Sequence, residues 1–288
     1  HSHNLSAGLS VNYDGYQEEL SLVSPIDNLN RWEMTPGVFA EYTYTYKDKI
    51  TLLVGIREDY STRYGFFTTP RMNLRYAPFE WWTLRGSVGL GYRSPNAIAD
   101  NAAYLSSNRI YHFDEVNSGL STVFYIPMGN KELQLSGEYY YTKFLDGVIA
   151  DMDRDLHGVT LYNMHDVADA QYFSHNWQVE ANMEILRGWT MTAAFRYTDV
   201  KQTSFNTATN EYQLRDKPLQ NKFKGIISTS YQTPLKTWQF DLTAQFNGEG
   251  RMPDGFVIPE GSKQYRMHNG YIYHKWYPQL LGQITKYF

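Results

Sequence analysis

The residues whose types and spacing could bind a metal ion are concentrated in one segment, where Asp151, Asp153 and Asp155 alternate with other residues. Alternating carboxylates open loops that hold calcium through several oxygen ligands. The segment departs from an EF-hand, because Leu156 stands at the glycine position and Tyr162 at the position of the bidentate glutamate. A structural calcium site of another kind and a solvated acidic loop are both open interpretations, and no other cofactor is required.

The remaining reactive residue types do not form a catalytic pattern. The eight histidines include no H-E-x-x-H motif, there is no cysteine, and no G-x-S-x-G motif is present. Neighbouring pairs such as Glu18-Glu19 and Ser174-His175 point to opposite faces of a strand, so they cannot act together. The sequence therefore predicts a protein that is not an enzyme.

Composition narrows the class of protein further. The 288 residues include 26 basic and 30 acidic ones, and a net charge of −4 gives no reason to expect a nucleic-acid partner. No apolar run approaches the roughly 18 residues of a membrane-spanning helix. Yet the chain contains 25 Tyr, 15 Phe and 7 Trp, and such rings favour places that are partly apolar and partly wet.

The elements that must position these residues are β-strands, because apolar and polar residues alternate with a period of two. In 189–198, for example, Trp189, Met191 and Phe195 fall on one face, and Thr192 and Arg196 fall on the other. The pattern predicts twelve strands, over 3–17, 32–46, 49–60, 67–77, 81–93, 112–126, 131–148, 171–186, 188–203, 217–232, 236–249 and 276–288. The chain is therefore expected to be all-β, as a single domain over 1–288.

The connections between these strands alternate in length. Short ones such as Lys47-Asp48 and Arg187-Gly188 alternate with long ones over about 18–31, 94–111, 149–170, 204–216 and 250–275. Tight turns at one end and long loops at the other are typical of antiparallel up-and-down barrels of the outer membrane. A soluble sandwich has no reason to sort its loops in this way.

Aromatic residues mark two levels along the predicted strands. Trp189 and Tyr197 lie eight residues apart on one face, as do Trp238 and Phe246, and Tyr92 follows ten residues after Trp82. At about 3.3 Å per residue and a tilt near 45°, these intervals project to roughly 19–23 Å. The apolar band of such barrels is about 25 Å tall, with aromatic girdles at both edges. A transmembrane β-barrel is favoured over a soluble β-protein whose tryptophans anchor a core.

Charged residues on the opposite faces are expected to point into the barrel lumen, since a basic residue facing lipid at the midplane costs about 2–4 kcal/mol. The predicted lumen-facing residues are Arg71, Arg75, Arg85, Glu138, Glu180, Glu184, Arg196 and Asp241.

A series of phrases in the sequence resembles the barrel of TonB-dependent outer-membrane receptors. The longest is TTPRMNLRYAPFEWWTLRGSVGLGYRSPNAIAD at Thr68–Asp100, which matches a strand, a periplasmic turn and the following strand. Further similar phrases are DEVNSGLS at Asp114–Ser121, LDGVIADMD at Leu145–Asp153 and KPLQNKFKGIISTSY at Lys217–Tyr231. The ordered series is more specific than any single phrase.

The resemblance implies a receptor in the outer membrane of a Gram-negative bacterium that imports a scarce large nutrient. Siderophore, haem, cobalamin and glycan are all substrates of the family, and a metal chelate is favoured here. It implies outer-membrane lipid, the receptor's own plug domain, the TonB complex and a surface lipoprotein as partners. The lumen-facing residues would contact the plug, and Tyr104, Tyr111 and Tyr162 in the long loops would bind the ligand.

The chain departs from the family pattern in two ways. It contains no plug domain, and its twelve predicted strands compare with 22 in a family barrel. It is therefore expected to be a later part of a receptor barrel, either as a piece or as one chain of a split receptor. One alternative is a self-contained twelve-strand pore, translocator or lipid hydrolase, which predicts pairing between the first and last strands. A soluble carbohydrate-binding β-protein is a further alternative.

Overall fold

The computed structural model describes residues 1–17, 30–93, 113–154 and 159–287. Nineteen strands account for most of them: β1 Ser2–Tyr16, β2 Arg31–Tyr46, β3 Ile50–Ser61, β4 Gly65–Thr68, β5 Arg71–Phe79, β6 Trp82–Arg93, β7 Phe113–Met128, β8 Lys131–Asp146, β9 Val148–Asp151, β10 Thr160–Asn163, β11 Tyr172–Leu186, β12 Trp189–Asn206, β13 Glu211–Asp216, β14 Phe223–Gln232, β15 Trp238–Asn247, β16 Gly250–Arg251, β17 Tyr265–His268, β18 Tyr271–His274 and β19 Tyr277–Lys286. A 3-10 turn, Met164–Asp166, is the one helical element in these ranges. Accordingly, no helix in the described part of the chain could span a membrane.

Fourteen of these strands form one antiparallel sheet, and twelve of them follow one another in the order β1-β2-β3-β5-β6-β7-β8-β11-β12-β14-β15-β19, while β4 and β13 pair with β3 and β12 beside this path. Each strand pairs with the next one along this path, so the sheet is an up-and-down meander. The predicted all-β fold, with twelve principal strands and strictly sequential pairing, is confirmed. The alternation of polar and apolar residues allows this arrangement, because every strand can present one apolar and one polar face.

Most strand bounds agree with the predictions to within about three residues, and two predicted strands differ more in their course. The segment 67–77 is divided at Pro70, which has no N–H to give to a ladder, so β4 pairs with the end of β3 before β5 begins at Arg71. The predicted strand 217–232 begins only at Phe223, because the backbone turns at Leu219, where φ is 60°.

The short and long connections lie at opposite ends of the sheet, as predicted. Lys47 and Asp48 adopt φ values of 47° and 55°, the conformation that a tight hairpin turn requires. Three of the predicted long loops contain strands of their own. Strands β9 and β10 form a hairpin within 149–170, β12 and β13 extend the sheet within 204–216, and β16–β18 form a small sheet within 250–275.

The sheet is open at both sides within the described ranges. Strand β1 pairs only with β2, and β19 pairs only with β15. The pairing of first and last strands that a self-contained twelve-strand barrel requires is not found. The described residues thus do not show the closure that the self-contained pore, translocator or hydrolase predicts.

Candidate functional site

The eight predicted lumen-facing residues all lie on one face of the sheet. Residues directly opposite each other in an antiparallel pair share a face, and the register joins one such row across seven strands: Arg75, Arg85, Ser121, Glu138, Gln178, Arg196 and Lys224. The other four predicted residues, Arg71, Glu180, Glu184 and Asp241, are related to this row by even steps along a strand or by register. We call this surface the polar face; that it lines a lumen stays a prediction from the sequence.

Some charges on the polar face are satisfied within the sheet and others are not. Arg71 forms an ion pair with Glu41, and Arg75 donates to the carbonyl oxygen of Asp48 at 2.9 Å. In the part of the chain that the structure describes, the side chains of Arg85, Glu138, Glu180 and Arg196 have no hydrogen-bond or ion-pair partner.

The opposite face is apolar and open. Leu120, Val179, Phe195 and Leu242 are each about half exposed, at 51%, 53%, 51% and 48%. A soluble protein would have to show this continuous apolar surface to water, which soluble proteins avoid. The surface suits lipid, as the amphipathic strands predict.

Two aromatic rows border this apolar face. At the short-turn end the rings of Trp82 and Phe124 stack with centroids 6.0 Å apart, and the Trp82 indole N–H donates to the Thr122 hydroxyl at 2.9 Å. Toward the long-loop end the Trp177 ring lies 5.2 Å from Tyr139 and 5.7 Å from Tyr197. Such rows, each with an apolar body and a polar tip, are expected at the edges of a lipid band.

At the long-loop end, two of the three predicted calcium-binding aspartates are buried among protein partners. Asp151 is fully buried, and its carboxylate accepts hydrogen bonds from the backbone N–H groups of Phe205, at 2.7 Å, and Asp153, at 2.9 Å. Burial raises the pKa of Asp151 above its ordinary value, against these two hydrogen bonds. The Phe205 amide lies on an edge of β12 that no strand covers, so Asp151 satisfies a backbone donor that would otherwise be orphaned.

Asp153 belongs to a group of four charges that we call the rim cluster: Asp153, Arg215, Arg251 and Asp254. Arg251 donates to both carboxylate oxygens of Asp153, at 2.9 and 2.7 Å, and Arg215 donates to both oxygens of Asp254, at 2.9 and 2.6 Å. Both guanidinium groups face the Tyr271 ring: that of Arg215 lies 5.0 Å from the ring centroid and that of Arg251 lies 5.8 Å from it. Desolvation opposes the charge of Arg215, but the hydrogen bonds and charges of Asp254 and Asp153 raise its pKa overall.

The rim cluster connects three loops that are far apart in sequence. Asp153 follows β9, Arg215 lies in β13, and Arg251 and Asp254 begin the segment that carries β16–β18. The charges of the cluster sum to zero, so its carboxylates are already compensated by arginines. In the described ranges no three acidic or histidine side chains are grouped to hold a metal ion. Asp155 lies outside the described residues, and calcium at this segment stays a prediction.

Beside the rim cluster, Tyr162 is one of four residues that form an aromatic–arginine patch with Arg154, Phe205 and Tyr212. The guanidinium of Arg154 lies 5.3 Å from the Phe205 ring centroid and donates to the Tyr212 hydroxyl at 2.8 Å. The Tyr162 and Tyr212 rings meet edge to face at 5.3 Å. The Tyr162 hydroxyl donates to the Thr203 carbonyl oxygen, and burial raises its pKa, so this phenol stays protonated. The other predicted ligand-binding residues, Tyr104 and Tyr111, lie outside the described residues.

Several residues of this site could not be found by reading the sequence. Arg251 and Asp254 are about 100 positions from Asp153, and no motif connects them. Arg154 lies among the alternating aspartates, and nothing in the sequence marks it as a partner of Phe205 and Tyr212. The Asn269-Gly270 pair was a signal for the β17–β18 hairpin, because its φ values of 51° and 81° are those that Asn and Gly adopt readily.

These features define a class of protein: an up-and-down antiparallel β-sheet of the barrel type, with one apolar face, one charged face and structured loops at one end. The sequence profile of the family described as "TonB dependent receptor-like, beta-barrel" matches residues 2–274. The chain belongs to this family, which consists of receptors and transporters of the outer membrane of Gram-negative bacteria. The predicted family is confirmed. No curated relative matches the sequence.

Solved structures of receptors share the fold. The ferric enterobactin receptor PfeA from Pseudomonas aeruginosa is 14% identical over 96% of this chain and 42% of its own, with a TM-score of 0.63. The siderophore receptor PirA from Acinetobacter baumannii is 13% identical over 96% of this chain and 45% of its own, with a TM-score of 0.62. The FrpB iron transporter from Neisseria meningitidis is 12% identical over 86% and 37%, with a TM-score of 0.57. The chain spans less than half the length of these structures.

Proposed function

We propose that the chain forms a later part of the barrel of a TonB-dependent receptor that imports a metal chelate across an outer membrane. The observation that supports this most is the open twelve-strand meander with one lipid-compatible face and one charged face, in a chain of this family. The three similar structures are a ferric enterobactin receptor, a siderophore receptor and an iron transporter. Under this proposal the barrel performs no covalent chemistry, and the remaining strands and a plug domain complete the receptor.

The proposed ligand surface is the aromatic–arginine patch, with Tyr104 and Tyr111 added on the basis of the sequence. The patch lies at the long-loop end and combines a cation with rings that can stack on a flat ligand. Aromatic surfaces with a few fixed polar groups are typical of small-molecule sites. The Arg154 guanidinium is exposed and held by Tyr212, so it presents a positive charge in one orientation. An anionic chelate with planar groups fits this chemistry better than a neutral glycan does.

The test measures ligand binding by the purified full-length receptor in detergent, with the quenching of tryptophan fluorescence as the readout. The panel is a ferric catecholate, a ferric hydroxamate, haem, cobalamin and an oligosaccharide. We expect one iron chelate to bind, and Arg154→Ala to weaken its binding by roughly tenfold to 100-fold, the effect of one lost hydrogen bond to a charged group.

Arg187→Ala is the matched control, because Arg187 is exposed in the short turn at the other end of the sheet. It should leave binding unchanged. Binding of the oligosaccharide or cobalamin alone would contradict the metal-chelate proposal, and equal effects of the two substitutions would contradict the location of the site.

A further inference from the structure

Two lysines and a phenylalanine form a row across three strands on the apolar face, at its long-loop end. Phe173 of β11 is the register partner of Lys143 in β8 and of Lys201 in β12. Directly paired residues share a face, and Phe173 is an even step from Trp177 on that face. Lys143 is exposed and Lys201 is half-buried, and neither side chain has a hydrogen-bond or ion-pair partner among the described residues. We call these three residues the basic row.

The basic row lies just outside the uncharged part of the apolar face. Along β8, the residues of this face that precede Lys143 carry no charge from position 133 onward: Leu133, Leu135, Gly137, Tyr139 and Tyr141. Phe173 is four residues beyond Trp177 toward the long loops, which is roughly 9 Å at about 3.3 Å per residue and a tilt near 45°. Aromatic rows lie at the boundary between acyl chains and headgroups, so the basic row is at the level of the headgroups.

The neighbouring acidic side chains do not compensate the two lysines of the row. Asp216 is the register partner of Lys201, but its carboxylate lies 3.0 Å from the ammonium group of Lys222. The same ammonium group contacts Asp199 at 2.7 Å. Together with Lys143, these three lysines and two aspartates leave a net charge of +1. The surface therefore has a surplus of positive charge that suits an anion.

The arrangement of the basic row selects a phosphate joined to apolar chains. The two lysines are on strands that flank β11, so their backbones are about 10 Å apart, and their flexible stems allow both ammonium groups to reach one phosphate. Phe173 lies between them and offers an apolar surface below that phosphate. A free anion would contact only the lysines, whereas a lipid would also cover Phe173 and the exposed ring of Trp177. Because long loops are extracellular in barrels of this kind, the lipid belongs to the outer leaflet.

We propose that Lys143 and Lys201, on either side of Phe173, bind a phosphate group of a glycolipid in the outer leaflet of the outer membrane. The inference rests on the proposed function, because it requires that the apolar face lie in that membrane. It adds a specific lipid site on the face of the sheet opposite to the charged polar face.

The primary test uses the purified full-length receptor in detergent, with bisphosphorylated lipid A as the probe. Native mass spectrometry measures the bound lipid over a titration. We expect Lys143→Gln with Lys201→Gln to weaken binding by roughly 30-fold, since each lysine near an anionic membrane surface contributes about fivefold. Lipid A without phosphates should bind the wild type about as weakly as bisphosphorylated lipid A binds the double variant. Equal binding of bisphosphorylated lipid A by the folded double variant and the wild type would overturn the proposal.

The matched control is Lys224→Gln, because Lys224 is an exposed lysine on the polar face and should not contact lipid. It should leave binding of lipid A unchanged. Lys143→Arg with Lys201→Arg keeps both charges and should retain binding, so this variant and the dephosphorylated lipid decide the matter if the Gln variant does not fold. Equal binding of the two forms of lipid A would overturn the proposal. Displacement of lipid A by an equal concentration of inorganic phosphate would also overturn it, because the site would then bind a free anion.

Binding of the iron chelate is measured on the same preparations and separates this proposal from the proposed function. The Gln double variant should bind the chelate like the wild type, since the basic row is on the other face of the sheet. A receptor that binds no chelate but binds lipid A through the two lysines would contradict the proposed substrate and support the lipid site. A receptor that binds the chelate but does not distinguish the two forms of lipid A would contradict the lipid site alone.

Discussion

Replacing Arg251 by Met should increase the fraction of molecules in which the loops at the long-loop end of the sheet are open. The Arg251 side chain is 3% exposed and that of Asp153 is 0% exposed, so the substitution leaves a fully buried carboxylate without its bidentate partner. Removing one partner of a buried ion pair typically costs about 3–5 kcal/mol.

The remaining contacts of Asp153 set the expected value at the lower end of this range. Ser204 still donates to it at 3.0 Å, the Asp254 backbone N–H donates at 3.1 Å, and Arg215 stays 3.5 Å away. We therefore expect about 3 kcal/mol, which is roughly a 150-fold larger open population of the loops at 1.4 kcal/mol per factor of ten.

The assay is limited proteolysis of the membrane-embedded receptor with a chymotrypsin-like protease that cleaves after Tyr271 and Tyr273. When opening and closing are faster than cleavage, the cleavage rate follows the open population. The double variant Asp153→Asn with Arg251→Met removes both charges and should return to within about tenfold of wild type, since replacing a whole buried pair is often nearly neutral.

The matched control is Arg266→Met in the same segment. Arg266 pairs with Glu249, but the two side chains are 48% and 26% exposed, and such pairs contribute about 0–1 kcal/mol. Its cleavage rate should rise less than about fivefold. If Arg251→Met and Arg266→Met gave the same rate, burial would not govern the strength of these pairs, and the reasoning would be refuted.

Two further outcomes are expected. Ala193→Arg places a charge on the apolar face, four residues from both Trp189 and Tyr197, and should destabilise the folded protein in lipid by about 2–4 kcal/mol. Ala194→Arg on the polar face should be tolerated. The folded fraction on unheated gels measures both variants, and equal losses would contradict the assignment of faces. Burial raises the pKa of Asp151, so its ionised form opposes folding at neutral pH. As the pH falls through that raised pKa toward about 4, the loops of the wild type should become more stable relative to those of Asp151→Asn. Proteolysis rates of the two proteins across this pH range measure the difference, and a rate ratio that does not change with pH would contradict the direction of the pKa shift.

The sheet could be predicted from sequence because its information is local. A period of two assigns each residue to a face, so Arg196 and Phe195 are expected on opposite faces because they are neighbours in the sequence. Sequential pairing then needs no long-range information, and the predicted strand 131–148 is observed at Lys131–Asp146. Pro70 and Leu219 changed strand bounds because single backbone positions interrupt pairing without altering the polar–apolar pattern.

The loops could not be predicted in the same way. The rim cluster brings together charges that sequence alone places in separate loops, and nothing near Asp153 indicates that its partner is Arg251. Asp153, one of the aspartates that resemble a cation site, is paired with arginines from elsewhere in the chain. Which long-range contact compensates a buried charge depends on how the loops fold over the sheet, and this information is not local.

Two edges of the sheet pair with no other strand in the described ranges, and under the proposed function they bear on how the chain would enter a membrane. The free side of β1 carries about seven N–H and C=O pairs over its fifteen residues, since alternate residues of a strand point to each neighbour. Each unsatisfied group costs several kcal/mol in hydrocarbon. Insertion of these strands must therefore be coupled to the pairing of both edges, by further strands or by an assembly factor that offers a temporary edge.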